Sequence, residues 1–417
     1  MIYLSLRALP LRCRQCGETS DARATAACPL CSGPVEPAYD PNRTRPDRET
    51  IAGRAPSLWR YQEWLPLTGE PIHSKEVGFT PLIEVPSLAR LLRVKRFWIK
   101  NDAVQFPTLS FKDRVVATAL NAASALGLEA VGCASTGNLA NALAAQATRA
   151  GIPVWVFIPD TIETGKVIGT AVYNSRLVRV SGTFDDVYGL CRQAADRFGW
   201  GMVNINLRSY YGEGSKTLAF ETVEQLGWRL PTAVVAPMAG GCLVTKLHKG
   251  FGEFIADGIV EGRVPRVYGA QASGCAPIVR MVESGSNRIV PEIPNTVARS
   301  IAIGNPMDGA GAATTIRETG GWAAAVSDEA LVSGIRLLAE HAGVFTETAG
   351  GVAMAGAKTL ADVGRLQSTD EVVVYITGNG LKTTEVLTET KAGLPLILPN
   401  LAEVEELNAM AEAMCSS

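Results

Sequence analysis

Histidine is nearly absent from this chain: three of 417 residues, His73, His248 and His341, and none sits in a recognisable motif. Net charge is nearly absent too. Lys and Arg total 39 against 41 Asp and Glu, for −2 overall. A nucleic-acid binder carries a basic excess, so polyanion binding is excluded as the main task, while small anions stay open. No apolar run approaches the ~18 residues that would cross a bilayer. The opening Met1-Ile2-Tyr3-Leu4-Ser5-Leu6-Arg7 has neither a basic n-region nor a long apolar h-region, so no signal peptide is expected. A cytoplasmic protein without membrane contact follows as the expectation. There is no internal repeat and no low-complexity tract.

What is present is ample apolar material. Residues of this class make up 47% and charged residues 19%, enough to bury a large core. The nine cysteines fall into two populations. Cys133, Cys191, Cys242, Cys275 and Cys415 are scattered and read as buried small side chains or idle thiols. Cys13-x2-Cys16 and Cys28-x2-Cys31 lie close together and have the shape of a zinc ribbon. Two CxxC turns can place four thiolates tetrahedrally around one zinc ion, with Gly17 and Gly33 easing the turns. Four unliganded thiols are the alternative. A closed four-cysteine site would be structural, and this one is expected to be distant from any chemistry later in the chain.

Residues 1–36 thus read as a small module, and the polar, proline-containing stretch beyond it begins a linker and arm over 37–74. Further on, short apolar runs alternate with amphipathic or alanine-rich ones. Strands are expected at Arg96–Lys100, Ala130–Ala134, Val154–Ile158, Leu177–Val180, Met202–Ile205, Ala233–Ala236, Val267–Ala270 and Val372–Thr377. Helices are expected at Phe111–Leu126, Leu139–Ala150, Phe184–Phe198, Gly214–Leu226, Val244–Ala256, Asp328–His341 and Val352–Leu360. Such alternation implies an α/β fold of right-handed crossovers, with one long parallel sheet or two doubly wound ones.

Three loops carry the chemistry. In Phe106-Pro107-Thr108-Leu109-Ser110-Phe111-Lys112-Asp113-Arg114 a lysine opens a helix, with Ser110 placed to cap it and Asp113 to complete a capping-box-like arrangement. The positive end of the helix dipole disfavours an ammonium there, and a neutral amine is what Schiff-base chemistry needs. Alone, this is a surface lysine. Ser135-Thr136-Gly137-Asn138, however, follows one expected strand and opens a helix, a site for a carboxylate. Ala239-Gly240-Gly241-Cys242-Leu243 follows another, with small residues that let backbone N–H groups approach a phosphate. Neither loop is a nucleotide fingerprint. A lysine, a carboxylate cradle and a phosphate cradle together fit pyridoxal phosphate and an amino acid.

These residues resemble the threonine synthase family and the wider fold-type II pyridoxal-phosphate enzymes. The likeness runs from about residue 75 to 385. It covers S-F-K-D-R around Lys112, S-T-G-N at 135–138, Glu213-Gly214-Ser215-Lys216-Thr217, the small-residue loop at 239–243, Ile303-Gly304-Asn305-Pro306 and Thr377-Gly378-Asn379-Gly380-Leu381-Lys382. The cysteine-rich start and Leu58-Trp59-Arg60-Tyr61 resemble the longer, ribbon-bearing branch. The resemblance implies a large cofactor-binding domain from 75–115 and 200–385, a small α/β domain from 116–199, and a helical tail over 386–417. It implies that Lys112 forms the Schiff base and serves as mobile acid and base. Asn138 would meet the cofactor's ring hydroxyl, Ala239 to Leu243 its phosphate and Thr377 its pyridine nitrogen. Ser135, Thr136 and Gly137 would bind the substrate carboxylate.

The implied reaction converts O-phospho-L-homoserine and water to L-threonine and phosphate, on a homodimer. A related β- or γ-replacement or dehydratase reaction on serine, threonine or another O-activated amino acid is the alternative. The chain departs from the family pattern at three places. Leu109 and Val115 replace glycines, the phosphate loop lacks asparagines, and Tyr211 stands where an arginine often holds the substrate phosphate. Arg208 and Lys216 are the nearest cations expected to replace it.

Overall fold

The computed structural model describes residues 6–135, 137–159, 164–182, 184–388 and 394–415. Its β-branched and alanine-rich runs build two sheets. Four parallel strands stand in the order Arg176–Val180, Val154–Pro159, Val131–Ala134 and Gly201–Met202. Six strands form the larger sheet, in the order Ala323–Val326, Arg266–Ala272, Ala233–Pro237, Glu371–Ile376, Arg96–Asn101 and Leu82–Glu84, all parallel but the last. The central strands Ala233–Pro237 and Val131–Ala134 are buried along their whole length, as expected when helices cover both faces. The fold is an α/β architecture with two parallel-stranded main sheets and not one.

All eight expected strands exist, with ends shifted by a few residues. Two were missed. Leu82–Glu84 is a short antiparallel edge, and Ala323–Val326 is mostly alanine, a composition that reads as helix when taken alone. The expected helix Gly214–Leu226 is in fact two, Arg208–Ser215 and Thr217–Gln225. Gly212 and Gly214 weaken the helical signal of the first. They are there for packing. A Cβ on Gly214 would lie 2.5 Å from the Arg114 carbonyl oxygen and 2.8 Å from Thr118 Oγ1. The helix Arg208–Ser215 therefore rests directly on Lys112–Ala125.

At the start of the chain, Thr19–Ser20, Leu11–Cys13 and Val35–Pro37 form a three-stranded antiparallel sheet, and Arg7–Ala8 pairs with Leu67–Thr68. The structure divides into two units, Met1–Lys382 and Thr383–Ser417. The second contains the helix Leu401–Cys415, with Leu401, Val404 and Met410 exposed. Among the described residues, no helix is long and apolar enough to cross a membrane. All residues considered below belong to the first unit.

If Gly214 sets the distance between the two helices, Gly214→Ala forces a backbone shift. It should lower unfolding stability by about 1–3 kcal/mol, read by denaturant titration, whereas Gly227→Ala, whose Cβ would meet nothing within 4 Å, tests only the positive-φ cost.

Candidate active site

Lys112 is the first residue of the helix Lys112–Ala125. The expected serine cap is not made. Ser110 is fully buried and its Oγ has no hydrogen-bond partner among the described residues. The loop is closed by Asp113 instead, which accepts hydrogen bonds from the Thr108 backbone N–H (3.0 Å) and hydroxyl (2.9 Å). Burial pushes the Asp113 carboxyl up to about 6, against the hydrogen bonds from Thr108 and Gln146. Leu109, where the family has glycine, takes φ +58°. A left-handed backbone is the reason glycine suits this position. One turn into the helix, Arg114 is fully buried. It donates to Asp102 (2.6 and 2.9 Å), to Glu221 and to Thr80, while Lys100 reaches Glu221 at 2.6 Å. These ions fix the lysine helix to the large sheet.

The Lys112 side chain reaches the helix Arg208–Ser215. Its Nζ donates to the Tyr211 hydroxyl at 2.9 Å and lies 4.6 Å from the Phe111 ring centroid. Tyr211 is buried, one turn along from Arg208. Arg208, half-buried, forms an ion pair with Asp308. Asp308 belongs to the wall of the small-residue loop: its N–H donates to the Gly240 carbonyl at 2.9 Å. Gly241 caps the helix Cys242–Ala256 with φ +94°, and a Cβ there would sit 2.8 Å from the Asp308 carbonyl oxygen. Only glycine fits both requirements. Burial, and then Asp308, push the Cys242 thiol up, with the Arg208, Lys246 and Lys112 cations opposing them. The loop, the lysine and Arg208 thus share one electrostatic neighbourhood.

Two strand ends, one from each sheet, carry the remaining residues. Thr377 follows Glu371–Ile376, is buried, and its carbonyl accepts from the Phe111 N–H at 2.9 Å. Ser135 follows Val131–Ala134, and Asn138 opens the helix Asn138–Arg149. The Gly137 N–H donates to Ser135 Oγ at 3.4 Å. Thr136 lies outside the described residues. Asn138 Nδ2 donates to both carboxylate oxygens of Glu347 at 2.9 Å, and that carboxylate packs against Gly378. Glu347 and Asp308 were not singled out from the sequence. Each is one acidic residue whose role depends on a distant loop coming close.

The comparisons decide what this assembly is. Residues 73–378 match the family described as pyridoxal-phosphate dependent enzyme. The chain belongs to that family. It is 34% identical over 399 residues to the threonine synthase of Methanosarcina acetivorans, covering 95% of this chain and 98% of that one. It is 36% identical over 376 residues to that of Methanocaldococcus jannaschii, covering 89% and 92%. The fold matches maize serine racemase (TM-score 0.64, 18% identity, 76% of this chain and 93% of that one) and a Rhizomucor miehei L-serine ammonia-lyase (0.64, 22%, 75% and 98%). Such relatives make the chain a threonine synthase-like, pyridoxal-phosphate-dependent lyase.

The residues present fit the cofactor. A buried Ser110 hydroxyl with no hydrogen-bond partner among the described residues lies two residues from Lys112, and the Gly240-Gly241 turn leads into the start of the helix Cys242–Ala256, with open space beside Gly240. Lys216 does not join them. It is fully buried, its Nζ 2.6 Å from Glu213, 2.8 Å from Glu253 and 3.0 Å from the Tyr39 hydroxyl. An ammonium with two carboxylates is not free to hold a substrate phosphate, so the expectation for Lys216 is withdrawn.

The four N-terminal cysteines come together. All four sulfurs lie within 4.8 Å of one another, with Cys13 and Cys31 at 3.5 Å and Cys16 and Cys28 at 3.7 Å. A tetrahedron with ~2.3 Å metal–sulfur bonds has edges of ~3.8 Å, so the group is shaped for a metal ion. The module that carries them touches the helix Arg208–Ser215. Tyr210, the neighbour of Tyr211, donates its hydroxyl proton to the Leu9 carbonyl at 3.0 Å and accepts from the Arg23 N–H at 3.3 Å.

Loaded with pyridoxal phosphate, the protein should be yellow, and Lys112→Ala should abolish the visible Schiff-base band, as an absorbance spectrum would show. A wild type that stays colourless with the cofactor contradicts the assignment of Lys112.

Proposed function

We propose that the protein converts O-phospho-L-homoserine and water to L-threonine and phosphate, in the cytoplasm and as a homodimer. The observation that carries the reading is the lysine at a helix start between two strand-end loops, in a chain whose threonine synthase relatives match almost end to end. Pyridoxal phosphate, when bound, supplies an electron sink for the substrate's α-carbon. Lys112 would hold it, with Asn138 at its ring hydroxyl, Thr377 at its pyridine nitrogen, and Ala239, Gly240, Gly241, Cys242 and Leu243 around its phosphate.

The chain's own residues do the rest. Ser135, Thr136 and Gly137 hold the substrate carboxylate at the start of the Asn138 helix. Lys112 takes the α-proton and a β-proton follows; phosphate leaves from Cγ, a proton is returned to Cγ to make the methyl group, water adds its hydroxyl at Cβ, and Lys112 returns a proton to Cα. Tyr211, bonded to Lys112 Nζ, orients the amine between these steps. His73 Nε2 is bonded to Ser124 Oγ at 2.9 Å, and burial holds the imidazole below its usual range. Arg208 receives the substrate phosphate by exchanging Asp308 for a more highly charged partner. The exchange also gives the second reading its support: with Asp308 already on Arg208, an unphosphorylated serine or threonine is the alternative substrate.

Arg208→Ala separates the two. With phosphohomoserine it should raise KM or cut kcat/KM by ~10–100-fold, the scale of a charged hydrogen bond at ~1.5–3 kcal/mol. The α-proton exchange of an unphosphorylated amino acid should barely change. Equal loss on both substrates marks a structural arginine, and no loss on either favours the second reading.

For the cysteine group we propose zinc, supported by the tetrahedral spacing of its sulfurs. Elemental analysis should give one zinc per chain, and chelation should lower the melting temperature. Metal-free protein of unchanged stability contradicts it.

A further inference from the structure

Three lysines and three glutamates meet where the N-terminal module touches the catalytic helices. Glu213 is at the centre, fully buried, two residues beyond Tyr211 on the helix Arg208–Ser215. Its carboxylate accepts from the Tyr39 hydroxyl at 2.6 Å, from Lys216 at 2.6 Å, from Lys246 at 2.6 Å and from Lys249 at 2.9 Å. Lys246 and Lys249 belong to the helix that starts at the small-residue loop, and both turn their second contact to Glu36, at 2.8 and 3.2 Å. Glu253 completes the set through Lys216. Glu36 comes from the strand Val35–Pro37 that pairs with Leu11–Cys13, and Tyr39 follows it. The three lysines and three glutamates balance in charge, Arg14 of the module adds a fourth cation 3.7 Å from Glu36, and the cluster is closed only with Glu36 in place.

Tyr211 is therefore held from both sides on one helical turn. Tyr210 before it is bonded to Leu9 and Arg23, and Glu213 after it is bonded to Tyr39 and, through two lysines, to Glu36. Gly212, between them, faces the same lysine: a Cβ there would be 3.1 Å from Lys246 Cε. We infer that the N-terminal cysteine module is a positioning element for Tyr211, setting the Tyr211–Lys112 contact through Tyr210, Tyr39, Glu36 and Glu213. The contact it sets is 2.9 Å, and hydrogen bonds weaken steeply when donor and acceptor are misaligned. The link is charged throughout the working range. Burial would raise Glu36, but Lys246 and Lys249 hold its carboxyl down to about 2. Glu213 is likewise held well below the usual carboxylate range, by Lys216, Lys246 and Lys249 against the effect of burial.

The inference rests on Lys112 as the cofactor lysine, and the test keeps the two apart. Tyr210→Phe deletes one hydroxyl, and Glu36→Ala removes the module's charge from the cluster. Each is made in the wild type and in Tyr211→Phe, as holoenzyme. In the wild type each should lower kcat by ~3–30-fold with little change in KM. Each should also shift the pH midpoint of the visible band of bound pyridoxal phosphate, which loss of stability alone does not move. In the Tyr211→Phe background the same changes should cost less than about 2-fold, because the contact they act on is already gone. Losses that multiply fully in both backgrounds, or unchanged kcat and pH midpoint in Tyr210→Phe, overturn the inference. Should Glu36→Ala fail to fold, Tyr210→Phe and the charge-neutral Glu36→Gln carry the same cycle. A wild type with no visible band at all refutes the cofactor reading instead.

Discussion

The hydrogen bond from Lys112 to Tyr211 is the contact on which the site is built. It joins the first residue of one helix to the middle of another, and it forms only because those helices touch at Gly214. Each helix is tied down by a buried set of ions that lies away from the chemistry. Arg114, with Asp102, Glu221 and Lys100, binds the lysine helix to the large sheet. Glu213, with its three lysines, binds the tyrosine helix to the Cys242 helix and to the N-terminal module. A buried ion pair adds little net stability but is expensive to break. Two such sets on either side of one hydrogen bond make its geometry hard to displace.

The second constraint is where the parallel strands end. Ser135, Pro237 and Thr377 come at or just after the carboxyl ends of strands, where α/β sheets gather their ligands. Helix starts there present backbone donors, and a Cβ at Gly241 would strike the Asp308 carbonyl. Arg208 and Asp308 sit beside the same loop, so the phosphate of a substrate and that of a cofactor would be handled by adjoining groups. The charge of the site is therefore local, which is why a chain of net charge −2 can be equipped for a doubly phosphorylated complex.

Much of this was legible in the sequence, and the reasons are physical. The strands of both sheets are apolar runs followed by loops of small residues, a pattern local enough to read directly. The loops at 112, 135–138 and 239–243 are recognisable because their distinctive residues are consecutive. What escaped depended on contacts made at long range. The helix Arg208–Ser215 was hidden by two glycines that serve packing and not turns. The strand Ala323–Val326 was hidden by alanine, whose place in a sheet is decided by its neighbours. Ser110 has the composition of a cap, yet the loop is closed by Asp113. Glu36 and Lys246 bond across 210 positions, and no spacing rule could pair them.

The account stands most directly on the products the enzyme makes. Purified enzyme loaded with pyridoxal phosphate would be given O-phospho-L-homoserine, phosphoserine, serine and threonine separately in deuterated water, and the products followed by NMR. The account predicts threonine and phosphate in equal amounts from phosphohomoserine, with deuterium at the α-carbon of the threonine. Release of ammonia and a keto acid from serine or threonine, with phosphohomoserine untouched, would contradict it.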